Sequence, residues 1–332
     1  MPIISQSFRC RFIQLKASLC AVTLALSVNS YAEKITDVHF LVPGGAGGGW
    51  DSTARATGST LKEAGLINKV SYQNLSGGGG GKAIAYLIET AKKQQDTLMV
   101  NSTPIVIRSL AGVFPQTFRD LTPIAATIAD YGAFIVKNDA PYKDWKQLIT
   151  EYKKAPAKVK FAGGSTRGSM DHLIAAAAVQ NEGLNPRQLR YVPYDAGAKA
   201  MAALLSGETQ VLSTGFGEAL ELAKSGQVRI LAITAPERLK AAPDVPTLKE
   251  MGNPTVFANW RGFFAAPNIA KNKAEALAKL LADMQQTPAW NKTRDRYGWI
   301  DNYKANDDFI AFLNDQEKTM RTLMQTLGFL KK

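Results

Sequence analysis

The residues best suited to chemistry here are glycines. Val42-Pro43 is followed by Gly44, Gly45, Gly47, Gly48 and Gly49, and Asn74-Leu75-Ser76 by an unbroken run from Gly77 to Gly81; ten of the 27 glycines stand in these two segments. Each segment follows a short apolar stretch and precedes a helical pattern. Glycine lets backbone come close to a ligand, and free amides at a helix start favour negative charge. The chemistry implied is the capture of a carboxylate or phosphate. Gly47, Gly48, Gly49 and Asp51 are candidate binding residues in the first segment. Ser76, Gly78, Gly79 and Gly80 are those in the second, and Thr103 follows a third apolar stretch.

A comparable segment recurs later as Ala162-Gly163-Gly164-Ser165-Thr166-Arg167-Gly168-Ser169. Ser165, Thr166 and Ser169 offer hydroxyls, and Arg167 a guanidinium that can grip a carboxylate bidentately. Tyr194 and Gly197, and then Thr214, belong to two further polar, small-residue segments.

Other chemistries lack material. The only histidines are His39 and His172 and the only cysteines Cys10 and Cys20, so no metal centre is expected. Neither glycine segment satisfies Gly-x-Gly-x-x-Gly, because Trp50 and Lys82 take the third position, and Ala83 breaks the phosphate-loop pattern. No cofactor is expected. Arg167 stands where a nucleophile elbow needs its second glycine. His172, beside Asp171, fits a packed or capping role near a helix start. An exported hydrolase is thus the weaker reading, and no catalytic residue is assigned.

The elements that must position these segments alternate. Strands are predicted over 37–42, 69–74, 97–101, 159–162, 189–192, 209–213 and 228–234. Helices are predicted over 51–64, 82–91, 145–153, 169–181, 197–205 and 218–225. This rhythm predicts an α/β protein with a parallel sheet, whose ligands lie beyond the carboxyl ends of its strands. After residue 235 prolines mark irregular chain. A strand over 262–266 and two amphipathic helices follow, with Leu277, Leu280, Leu281 and Met284 on the first and Phe309, Phe312, Leu313, Met320, Leu323, Met324 and Leu327 on the second.

Residues 1–32 read as an export signal. Arg9, Arg11 and Lys16 precede the uncharged run Ala17–Val28, and Ser30-Tyr31-Ala32 offers a cleavage site after Ala32. The net charge is +12, and loss of those three basic residues leaves +9 and no cysteine. A mature product starting at Glu33 is expected to be soluble and periplasmic. The basic residues are dispersed, so small anions rather than nucleic acid are the expected partners.

Together these residues resemble the periplasmic receptors of the tripartite tricarboxylate transporters, the TctC or Bug family, over essentially the whole chain. The marks are Val42–Asp51 followed by Thr53-Ala54-Arg55, the run Gly77–Gly81, Tyr191-Val192-Pro193-Tyr194, Arg238-Leu239 with Pro243–Glu250, and Phe257–Gly262. The resemblance implies a type II periplasmic-binding-protein fold: two α/β lobes, a hinge, and a ligand cleft between them. It divides the chain into a first lobe at 33–132 and 255–332 and a second at 133–254. It implies a non-enzymatic, monomeric receptor that delivers a citrate-like di- or tricarboxylate to the large and small permease subunits. Another organic anion, an aromatic carboxylate or amino acid, is the alternative. The two glycine segments would hold one carboxylate through amides and ordered water, and the second lobe would set selectivity. Arg167 and Asp195 depart from the family pattern.

Overall fold

The computed structural model describes residues 35–331; the expected export segment and both cysteines lie outside them. In chain order, β1 (Asp37–Val42) leads into α1 (Gly49–Glu63), β2 (Lys69–Asn74) into α2 (Gly81–Glu89), and β3 (Thr97–Ser102) into α3 (Pro104–Leu110). A strand of 16 residues, β4 (Thr122–Lys137), comes next. It is followed by α4 (Trp145–Lys154), β5 (Lys160–Gly163), α5 (Met170–Asn181), β6 (Arg190–Pro193), α6 (Gly197–Leu205), β7 (Val211–Gly215), α7 (Phe216–Lys224) and β8 (Val228–Ile233). The chain ends with β9 (Ala258–Ala265), α8 (Lys271–Gln285), α9 (Pro288–Tyr297), β10 (Ile300–Ala305) and α10 (Asn306–Thr326).

Local chemistry accounts for these boundaries. All six residues of β3 are buried, as expected of a strand covered on both faces. Asp144 caps α4 by accepting the Gln147 amide at 2.8 Å. Thr287 caps α9 by accepting the Trp290 amide at 3.1 Å, with Pro288 in the first turn. The apolar stripes of α8 and α10 face the core: Leu277, Leu281 and Met284 are fully buried, as are Phe309 and Leu313.

Two sheets share β4. In the first, β1 runs parallel to β2 and β3, while β9 lies antiparallel between β3 and β4, and β10 is antiparallel to β4. In the second, β5 is parallel to β6 and β7, and the far half of β4 pairs antiparallel with β7 and β8. The result is a two-lobed α/β fold in which one long strand passes from lobe to lobe.

The sheets are therefore mixed, where the strand–helix rhythm predicted parallel pairing. The antiparallel members are β4, β9 and β10. The tail holds three helices and a strand, where the apolar periodicity predicts two helices. Helix α9 was missed because it buries little beyond Trp290 and carries no sustained apolar stripe.

Candidate functional site

The first glycine segment is held in shape by Asp51. Its carboxylate accepts the Gly47 amide at 3.0 Å, Arg55 Nε at 2.9 Å and Asn74 Nδ2 at 3.0 Å. Asn74 Nδ2 also donates to the Gly44 carbonyl at 3.0 Å, tying the end of β2 to the loop after β1. Burial pushes the Asp51 carboxyl up, but the bonds from Arg55, Gly47 and Asn74 outweigh it and hold the group below its ordinary value. Asp51 is thus a structural pin. Gly48 precedes α1 without a side-chain cap, so the first amides of that helix are left without an intrahelical partner.

The second glycine segment takes a different place. Gly77 to Gly80 all have positive φ, a sequence of conformations only glycine adopts at little cost. The Trp50 ring lies beside Gly44 and Gly80, and its Nε1 donates to Ser102 Oγ at 2.8 Å. The indole thus separates the two glycine segments.

Between the lobes lies a small cleft of about 80 Å³. One wall is Gly44, Gly45, Gly48, Gly49 and Trp50 with Ser102 and Pro104; the other includes Gly164, Ser165, Met170, Asp171, Asp195, Ala196, Gly197, Thr214 and Glu218. Asn259 and Arg261 of β9 complete the lining. The opening residues of α1, α3, α5 and α6 all meet here.

Arg261 organises the floor. It is 2% exposed, and its Nη2 lies 3.1 Å from Asp130 Oδ2 and 3.6 Å from Glu218 Oε1, while Nη1 donates to Thr53 Oγ1 at 3.1 Å. Gly49 packs directly on this group, and a Cβ there would collide with both Arg261 and Glu218. Burial pushes the Glu218 carboxyl up to about 7, with Arg261 opposing and Asp130 adding to the rise. Burial and the neighbouring Glu218 do the same for Asp171, which also reaches about 7.

Of the residues singled out in the sequence, Gly48, Gly49, Ser165, Gly197 and Thr214 line the cleft. The others sit elsewhere. Gly47 lies on an adjoining groove beside Ala198. Ser76 hydrogen-bonds Asp195 across the lobes. Gly78, Gly79 and Gly80 are outside the lining, and Gly79 packs by Arg108. Thr103 is fully buried with its hydroxyl unpartnered. Thr166 and Ser169 bond one another through the backbone at 3.0 Å. Tyr194 turns to Glu208, its hydroxyl donating at 2.8 Å.

Arg167 faces neither the cleft nor Asp195. Its Nη2 donates to the Tyr191 carbonyl at 2.6 Å, beside a small pocket that also includes Pro186 and Phe329. His172 has the packed role expected of it. Its Nδ1 accepts the Gly168 amide at 2.9 Å, and its ring stacks on Tyr191 at 4.6 Å. Burial, with Arg167 adding to it, lowers its pKa to about 4. Among the described residues no serine hydroxyl bonds to His172, and no cluster of three metal-ligating side chains occurs.

The sequence does not mark Asp171 and Glu218 as cleft residues, nor does it assign Arg261 a role, yet all three line the cleft. A usable signal existed for Arg261. An arginine inside Trp260-Arg261-Gly262-Phe263-Phe264, an otherwise apolar strand, must find buried acids.

Comparisons with known proteins agree with this geometry. The family described as "Tripartite tricarboxylate transporter family receptor" matches residues 63–329. The protein BugT of Bordetella pertussis is 29% identical over 245 residues, 72% of each chain. The solved periplasmic binding protein BugD superposes with a TM-score of 0.80 at 22% identity, covering 90% of this chain and 99% of its own. A Rhodopseudomonas palustris protein solved with adipate gives 0.79 at 22% identity, covering 88% and 97%. The fold is that of the periplasmic binding proteins, and the chain belongs to the receptor family of the tripartite tricarboxylate transporters.

Proposed function

We propose that this receptor captures a small organic carboxylate in the interlobe cleft, in the periplasm, and passes it to the membrane subunits of a tripartite transporter without altering it chemically. The observation that carries this reading is the uncapped start of α1. Gly48 supplies no side-chain cap, and Gly48, Gly49 and Trp50 line the cleft. Their amides and the helix dipole favour an anion at that spot. The lobes, 33–132 with 255–332 and 133–254, would swing on β4 and the segment that returns as β9. The packing of His172 disfavours the hydrolase reading, since a general base needs its nucleophile within reach.

A citrate-like di- or tricarboxylate is the second reading, favoured by the adipate in the similarly folded Rhodopseudomonas palustris protein. Against it stands the charge of the lining, which holds Asp171, Asp195 and Glu218 but one cationic side chain, Arg261.

A thermal-shift screen of the chain from Glu33 against mono-, di- and tricarboxylates tests the proposal. A ligand at a hundred times its Kd adds about 2.7 kcal/mol of stability, so a true ligand should raise the melting temperature clearly. A flat response across all carboxylates would remove the reading.

A further inference from the structure

Arg167, which takes no part in the cleft, lines a separate cavity of about 180 Å³. There the turn after α10 meets the loop before α5 and the segment between α5 and β6. Arg167, His172 and Arg187 are its polar side chains, and no acid is among the described residues that line it. Leu189, Leu327 and Phe329 supply apolar wall. The donors are underused. Arg167 spends Nη2 on the Tyr191 carbonyl. Arg187 rests on Gly328, where a Cβ would lie 2.9 Å from its Nη2, yet among the described residues its guanidinium has neither hydrogen bond nor ion pair. The turn offers it little, because Gly328 N already donates to the Gln325 carbonyl at 3.1 Å and Phe329 N to that of Met324 at 2.8 Å. His172 is 5% exposed. Its Nδ1 accepts the Gly168 amide, so the neutral ring carries its proton on Nε2, and among the described residues nothing accepts that proton. A buried donor of this kind asks for an acceptor.

We propose that this cavity is a second anion site, separate from the cleft, that takes a small tetrahedral oxyanion of two negative charges, inorganic phosphate or sulfate. Two guanidinium groups without a counter-charge match a dianion, and guanidinium forks meet oxyanions with paired hydrogen bonds. Three donor groups from separate places in the chain call for acceptors in several directions, which four tetrahedral oxygens offer and a planar carboxylate does not. Arg108 of α3 stands behind Arg167, its Nη1 on the Arg167 carbonyl at 3.0 Å, and adds to the positive potential. The surroundings of His172 suit a neutral donor. Arg167 and Arg187 face it from two loops, Tyr191 of β6 stacks on its ring at 4.6 Å, and Phe329 meets it edge-on at 4.9 Å. Burial, with Arg167 adding to it, keeps the ring from taking a second proton until about pH 4. A bound ion would tie Arg187 and His172 together against the turn that follows α10.

Nuclear magnetic resonance of the chain from Glu33 reads this site directly, because His39 and His172 are its only imidazoles. In mildly alkaline buffer, where both rings are neutral, phosphate or sulfate should move the His172 ring signals along a saturating curve and leave those of His39 in place. Sodium chloride holds the ionic strength constant. Acetate, with one charge, should need at least about tenfold more for half its effect. Saturating sulfate should also raise the His172 pKa from about 4, since a nearby negative charge favours the imidazolium. Arg187→Gln changes an exposed side chain, so its melting curve should match the parent's. Its half-saturating concentration should rise at least about tenfold, by loss of a charge-assisted pair, while carboxylate binding in the cleft stays unchanged. His172 signals that do not move, that move in step with those of His39, or that saturate alike in Arg187→Gln would overturn the site. Glycerol 3-phosphate stands in for a lipid headgroup, and tighter binding of it than of either free ion would overturn the free-ion assignment.

Discussion

At the residue scale the cleft floor depends on one buried ion cluster. Asp130 is fully buried, accepts the Gly217 amide at 3.2 Å and pairs with Arg261. Burial pushes its carboxyl up and Arg261 opposes that rise. Breaking a buried pair by removing one partner strands the other charge, at a cost of about 3–5 kcal/mol. Arg261→Met should therefore lower the urea midpoint strongly, since it strands Asp130 and Glu218 together. Asp130→Ala with Arg261→Met should regain part of the loss, because one of the two stranded carboxyl groups is gone. A single variant as stable as the parent would deny the cluster its structural role. This cluster also shows what the sequence hides. The glycine segments were legible because composition marks them, and five of the sixteen candidate residues do line the cleft. Asp171 and Glu218 were not, because an acid in a helix's first turn looks like ordinary dipole compensation. Arg167 misled for the opposite reason: its type suits a carboxylate, but its side chain reaches a backbone carbonyl outside the cleft.

At the element scale the unexpected member is β4. Its stretch Thr122-Pro-Ile-Ala-Ala-Thr-Ile-Ala-Asp130-Tyr-Gly132 mixes proline, alanine, aspartate and glycine, all poor strand formers, so propensity alone passes over it. Tertiary pairing overrides that preference. Ala129 is opposed by Trp260 of β9 on one side and by Ile300 of β10 on the other. A proline there lacks the amide and is foreign to a strand paired on both edges. Ala129→Pro should destabilise the fold markedly by removing a ladder hydrogen bond, visible as an earlier and broader unfolding transition by circular dichroism. An unchanged transition would mean that β4 does not hold the lobes' framework.

At the scale of the whole molecule the lobes stand closed on each other. Asp195 accepts from Ser76 and, through its carbonyl, from the Gly45 amide at 3.4 Å. Arg108 of α3 sends Nη1 across to the Arg167 carbonyl at 3.0 Å. Arg108 is 9% exposed, and burial lowers its pKa. A hydrogen bond to a charged group contributes about 1.5–3 kcal/mol, enough to bias a two-state equilibrium between closed and open forms by roughly tenfold or more. Arg108→Ala should enlarge the radius of gyration of the ligand-free protein in small-angle scattering and weaken ligand binding. A scattering profile identical to that of the parent would mean that this contact does not govern closure.

The order of the first sheet also bears on how the chain is made. β1 covers one edge of β3, but the other edge pairs with β9, with Met99 opposite Phe264, and the first half of β4 waits for the same strand, with Thr122 opposite Ala265. During synthesis, two bare edges must therefore persist until residues beyond 265 have emerged. Such late, non-local pairing slows folding and leaves unpaired strands exposed. The second sheet, by contrast, has every strand it needs once β8 has emerged, so the lobe that begins later in the chain is the first whose sheet can close.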